Sequence, residues 1–332
     1  VGLEALAHLG RSTAQNARAI AGVLVCACAL ALSGCASMWP QTAALRAALP
    51  QGIPERAELT EVPFFPQEEY QCGPAALATA LTASGAKVTP EELVPQVYLP
   101  ERKGSLQIEM LAAARRHGRV SYQLAPRFED LLRELAAGNP VIVLQNLGIG
   151  EGWHYAVAVG YDYGSGILVL RSGTTERELM PFTMHELVWK RSNYWAMVAL
   201  SPDRIPATAN EQRWLGAIAA LERAGQPASA RVAYSAFLER WPESLTAAVG
   251  LANAHYALGE LPEAERVLRA ALQRAPDSVV ALNNLAQTLS DQGKNEEALR
   301  FVERAIEHSG NGPFTAAVEE TRDTIRKRLT VK

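Results

Sequence analysis

Gln67-Glu68-Glu69-Tyr70-Gln71-Cys72-Gly73-Pro74-Ala75-Ala76 joins an extended segment, residues 62–66, to a run of small residues that reads as a helix over 75–83. Cys72 falls on the junction. Partial positive charge at a helix N-terminus favours thiolate over thiol. A backbone N–H there has no helix partner and is free to face a developing oxyanion. Gly73 would let a substrate come close, and Pro74 suits a first turn, where its missing N–H would be unpaired anyway. Gln67, five residues earlier, offers an amide donor as the second arm of an oxyanion hole.

A thiol nucleophile needs a base. His255 and His308 lie far along the chain, His117 ends a helix beside Arg115, Arg116 and Arg119, and His185 reads as a helix-surface residue. His154 differs. It opens His154-Tyr155-Ala156-Val157-Ala158-Val159-Gly160-Tyr161, a strand pattern that follows the Gly-rich run 148–152. A ring at the mouth of a buried strand is held rigidly yet stays reachable, as a general base must. Trp153, Tyr155 and Trp189 read as core or cleft wall, and no His or acidic cluster has metal-ligand spacing.

The cysteine count sharpens the focus on Cys72. The chain of 332 residues has Cys26, Cys28, Cys35 and Cys72. Arg11 and Arg18 precede an apolar run, residues 19–32, which is too short to span a membrane comfortably and fits a signal-peptide core. Leu32-Ser33-Gly34-Cys35 follows and resembles the bacterial lipobox. That resemblance implies cleavage before Cys35 and lipid on its sulfur, with Ala36 in place of Asp favouring the outer membrane and its periplasmic face. Cys26 and Cys28 would leave with the signal peptide. Cys72 would be the single unmodified thiol of an exported chain, where idle thiols are a liability.

The pair Gln-x4-Cys-Gly-Pro-Ala and, some 80 residues later, His-Tyr-Ala-Val-x-Val-Gly-Tyr-Asp resembles the C39-type, papain-like cysteine peptidases. The resemblance implies Cys72 as nucleophile, His154 as base and Gln67 as oxyanion donor. That family usually carries an Asp on the next strand to orient the His; here the matching segment is Val169-Leu170-Arg171-Ser172-Gly173. A hairpin turning at residues 163–165 sets Ser172 to Thr174 opposite His154, so Ser172 takes the third position. A hydroxyl accepts the ring N–H but stabilises imidazolium less than a carboxylate does. Asp162 lies eight residues along the same strand, roughly 26 Å from His154 at about 3.3 Å per residue, and cannot substitute.

Beyond residue 210 the pattern repeats every 34 residues. Gly225, Gly259 and Gly293 keep that step, as do Ala230, Ala264 and Ala298, and Pro242 and Pro276. The Gly turns the chain between two helices, the Ala lets them approach, and the Pro ends the second. This resembles the tetratricopeptide repeat, with repeats at 211–244, 245–278 and 279–312 and a capping helix over 314–330; three repeats and a cap suffice for a stable stack.

The expected architecture is an α+β papain-like cysteine peptidase domain followed by an all-α tetratricopeptide solenoid. Its divisions are a signal peptide (1–34), a tether (35–59), the C39-like domain (60–200), a linker (201–210) and the repeats with cap (211–330). A net charge of −3 gives no basic field for nucleic acid, and no Walker A pattern occurs. Expected partners are a peptide or protein substrate, a protein held by the repeats and a membrane reached through Cys35, with no cofactor and no metal. The competing expectation is a catalytically weak C39-like module that binds peptides and acts as an envelope scaffold.

Overall fold

The computed structural model describes residues 38–67, 71–148 and 152–330. The signal-peptide stretch, Cys35, Glu68 to Tyr70 and the middle of the Gly-rich run lie outside the described residues.

The N-terminal domain is a seven-stranded antiparallel sheet with helices on both faces. Its strands are β1 (Arg56–Glu58), β4 (Val120–Gln123), β5 (Val141–Asn146), β6 (Trp153–Asp162), β7 (Ile167–Ser172), β8 (Thr175–Pro181) and β9 (Ala196–Leu200). The order is β4-β9-β5-β6-β7-β8, with β1 continuing beside β6. A separate two-stranded ribbon, β2 (Tyr98–Leu99) and β3 (Gly104–Ser105), stands off the sheet. Helix α1 spans Pro40–Ala47, α2 Cys72–Ala83, α3 Pro90–Val97, α4 Gln107–Arg116, α5 Phe128–Ala136 and α6 Phe182–Lys190.

Side-chain alternation along β6 explains the two-sided packing. Tyr155, Val157 and Val159 join the core under α2, α3 and α4. Ala156 and Ala158 join the opposite core, with Phe128 and Leu131 of α5 and Trp189 of α6. A strand covered on both faces is apolar where it is covered, and β6 is buried from Tyr155 to Tyr161, with His154 and Asp162 at its ends. Near His154 the hairpin register pairs Val157 with Arg171 and Ala158 with Leu170; a bulge between Ala158 and Gly160 shifts the rest by one residue. Thr89 caps α3 in a reciprocal capping box with Glu92, with Pro90 opening the helix.

The repeats form three helix pairs: α7 (Glu211–Arg223) with α8 (Pro227–Arg240), α9 (Leu245–Ala257) with α10 (Leu261–Arg274), and α11 (Val279–Asp291) with α12 (Asn295–Ser309). Helix α13 (Thr315–Thr330) closes the stack. Gly225, Gly259 and Gly293 hold φ of 75°, 76° and 78°, a left-handed conformation that other residues adopt only at a cost. The same step of 34 recurs in the N-caps. Asn210, Ser244 and Ser278 each accept a backbone N–H with their side chains, worth about 1 kcal/mol each.

Three readings change. Residues 40–47, expected in a tether, form α1, and Thr42 and Leu45 are buried against the domain. Residues 201–210, expected as a linker, are fastened down by Glu134. This fully buried carboxylate accepts from Ala207 N (3.3 Å), Thr208 N (2.8 Å), Thr208 Oγ1 (2.6 Å) and Asn139 Nδ2 (2.6 Å). His185, expected on a helix surface, is fully buried, stacked on Trp189 at 5.2 Å with Gln145 Nε2 3.0 Å from its Nδ1. In each case partners distant in sequence supply the burial.

Candidate active site

Cys72 is the first residue of α2; Gln71 holds the N-cap position, and its side chain makes no cap bond. Its sulfur meets the backbone N–H of Tyr155, the residue after His154. The N–H groups of Gly73 and Cys72 itself also reach it. These donors favour the thiolate, but burial outweighs them and pushes the thiol above its ordinary value of 9.0. The donors expected at a helix start are present, and they act against burial. Desolvation of the charge is the larger effect.

Gln67 arrives at the same point. Its side-chain Nε2 lies 3.5 Å from the Tyr155 carbonyl, and its backbone N–H donates to Gly173 O at 3.1 Å. Gln67 also lines a hollow of about 310 Å³ with Pro66, Gln71 and Pro90. The N–H and C=O of Tyr155 are thus occupied by Cys72 and Gln67, where β7 has already diverged from β6. His154 Nε2 lies 3.0 Å from Ser172 Oγ. Ser172 is the last residue of β7 and pairs with Thr175 across the turn into β8. Asp162, at the far end of β6, pairs instead with Arg56 at 2.9 Å. The four residues singled out by sequence thus converge on one end of β6.

On the other side of Cys72 opens a cleft of about 740 Å³. Tyr155, Leu144, Ser105, Leu106, Trp153 and Arg191 line it. Trp153 is 56% exposed there, as a cleft wall should be, while Trp189 is in the core. Gly73 does not face the cleft as expected. A Cβ on it would lie 2.2 Å from Ser105 Oγ, so its missing side chain admits the β3 ribbon. Tyr155 Oη donates to Ser105 O at 3.2 Å and ties ribbon to sheet. Burial and the neighbouring Cys72 raise the Tyr155 phenol, so it remains a neutral donor. Ser105, Arg102 and Arg191 were not legible as site residues. They sit some 30 to 120 positions from Cys72, Ser105 on the β3 ribbon and Arg102 just before it, with no local motif. Among the described residues no three His, Cys, Asp or Glu side chains group as metal ligands.

Residues 59–197 match the Peptidase_C39 like family. Residues 243–309 match the tetratricopeptide repeat. The chain is a C39-like domain joined to tetratricopeptide repeats. No curated protein matches it. Among solved structures, a C39-like peptidase from Bacillus anthracis is 18% identical at TM-score 0.38 and covers 44% of this chain and 98% of its own. A double glycine motif protease from an AMS/PCAT transporter, in complex with a leader peptide, is 19% identical at TM-score 0.34 and covers 43% and 93%. The TPR2B domain of yeast Sti1 in its pHsp70 complex is 19% identical at TM-score 0.33 and covers 33% and 91%. The C39-like domain accounts for the α+β part of the fold and the repeats for the helical remainder. Among the described residues no helix is long and apolar enough to cross a membrane.

Proposed function

We propose that this chain is an exported, lipid-anchored cysteine peptidase that hydrolyses peptide bonds in the cleft at Cys72. The observation that carries it is the convergence on β6: the Cys72 sulfur and the Gln67 amide both on the Tyr155 backbone, with the adjoining His154 ring held by Ser172. With Nε2 engaged by Ser172, Nδ1 takes the thiol proton. The sulfur then adds to the substrate carbonyl carbon. The oxyanion accepts from the Cys72 backbone N–H and from Gln67 Nε2, which turns away from the Tyr155 carbonyl. The C–N bond breaks as imidazolium returns its proton to the leaving amine. Water, deprotonated by the same ring, hydrolyses the thioester and regenerates the thiol. The repeats recruit the substrate or a partner, and lipid on Cys35 holds the chain at the envelope, on the periplasmic face of the outer membrane.

A second reading is a peptide-binding module without efficient turnover. The raised Cys72 thiol and the hydroxyl in the third position favour it. Labelling with a thiol-reactive peptide electrophile separates the two. Fast labelling at neutral pH that disappears in His154→Ala supports the peptidase. Slow labelling indifferent to His154 supports the binding module.

A further inference from the structure

The stretch that follows the lipobox is fastened to the domain from its first described residues. Glu186 of α6 is fully buried, and its two carboxylate oxygens accept the N–H groups of Gln41 (2.9 Å) and Thr42 (2.7 Å) at the start of α1. An anion placed on those unpaired donors is favoured by charge as well as by hydrogen bonding. The Gln41 side chain bridges onward, donating to Pro126 O at 3.1 Å and accepting from Phe128 N at 2.5 Å. Tyr163 Oη donates to Leu45 O. Further along, Arg133 donates to Gln51 O at 2.9 Å and Tyr161 Oη to Pro54 O at 2.8 Å. Hydrogen bonds to the domain thus recur along the segment from Gln41 to Pro54.

Two facts then fix a direction. First, Cys35 precedes Met38 by three residues, a reach of about 11 Å at most. Second, α1, α5 and α6 lie on the sheet face that holds Ala156 and Ala158, whereas α2 and Cys72 lie on the opposite face with Val157 and Val159. Met38 and Met184 are each half exposed at the α1–α6 end. A lipid on Cys35 is therefore tied within that reach of Met38, which leads into α1 on the sheet face opposite the Cys72 helix.

We infer that α1 is a strap that seats the α5–α6 face on the bilayer and turns the Cys72 cleft to the aqueous side; this rests on the lipid-anchor reading above. The partner is a lipid surface, met by Met38, Met184 and their neighbours.

The test uses the full acylated chain in vesicles of phosphatidylethanolamine and phosphatidylglycerol, in a Cys72→Ser background. Nitroxide labels go on Met184→Cys, in α6, or on Ile108→Cys, an exposed position in α4 beside the cleft. Paramagnetic broadening by oxygen and by a water-soluble nickel chelate gives each label's lipid-to-water accessibility ratio. The expected ratio is several-fold higher at position 184 than at 108. Inserting about a dozen Gly and Ser residues between Ser37 and Met38 is expected to abolish the difference, since such a linker reaches ~20 Å on average. Equal ratios at 184 and 108 on chains whose acylation is confirmed by mass overturn the orientation while leaving the anchor intact. Absence of acylation by mass overturns the anchor reading and the orientation with it.

Discussion

His154 Nε2 and Ser172 Oγ lie 3.0 Å apart at the end of the β6–β7 hairpin, so a neutral hydroxyl is the partner of the ring that precedes Tyr155, whose backbone N–H meets the Cys72 sulfur. A carboxylate there would stabilise imidazolium and, through it, the thiolate. Ser172→Asp is expected to move the midpoint of Cys72 alkylation to lower pH by about one unit, the size of a nearby opposite charge. Ser172→Ala is expected to slow turnover about tenfold. An unchanged alkylation profile in Ser172→Asp removes Ser172 from the site.

Burial raises the Cys72 thiol above 9.0. Between that ordinary value and the folded one, the unfolded chain has lost its proton and the folded chain has not. Stability therefore falls as pH rises through this window. Denaturant unfolding at pH 8 and pH 10 should show a drop for the parent chain that is smaller in Cys72→Ala. Equal drops would mean that the sulfur is better solvated than its surroundings indicate.

His185 is neutral in the folded chain, because burial lowers it to about 3 from 6.5. The unfolded chain takes up a proton first as pH falls. Stability is complete above 6.5 and declines below it, by at most about 1.4 kcal/mol per pH unit. His185→Asn should flatten this acid limb, at some cost at pH 7, because Asn keeps a polar partner for Gln145. Urea midpoints measured from pH 7 to pH 4 test it.

Gly73 and Ser105 cannot both carry side chains. Gly73→Ala would bring a Cβ to 2.2 Å from Ser105 Oγ and 2.5 Å from its Cβ. It is expected to cost about 1–3 kcal/mol and to push the β3 ribbon away from the cleft. Ser105→Gly in the same chain should restore most of that loss, whereas Ser105→Ala should not, since its Cβ remains.

Glu134 joins the two halves of the chain through Ala207 and Thr208. Glu134→Ala leaves those donors and Asn139 without an acceptor and is expected to cost about 3 kcal/mol. Small-angle scattering should report a larger radius of gyration as the repeats loosen from the domain. An unaltered profile would show that the apolar contacts alone hold the halves together.

The site was legible where chemistry and local geometry coincide. Cys72 at a helix start and His154 at a strand mouth follow from short-range pattern, and Ser172 from the family resemblance and the expected hairpin register. So do the repeats, because each glycine turn and capping residue recurs at a fixed step. Parts that depend on distant partners were not legible. β4 is only four residues long, too few for alternation to show, and it exists through pairing with β9. Helix α1 has one large apolar residue, Leu45, and is held by Glu186, 145 positions away from Gln41. The opposed effects of burial and helix start at Cys72 could be ranked only once the packing was known.

Trp214, fully buried in the first repeat helix, packs edge-on against Tyr122 of β4 at 5.7 Å, and Arg213 donates to Gln123 O. A stack of repeats normally needs a polar lid at each end. Here α13 provides one at the C-terminal end, and the sheet provides the other. Cut away from the sheet, the repeats would present a bare indole to water and favour self-association. The peptidase-like domain is thus also the solubilising end-piece of the solenoid.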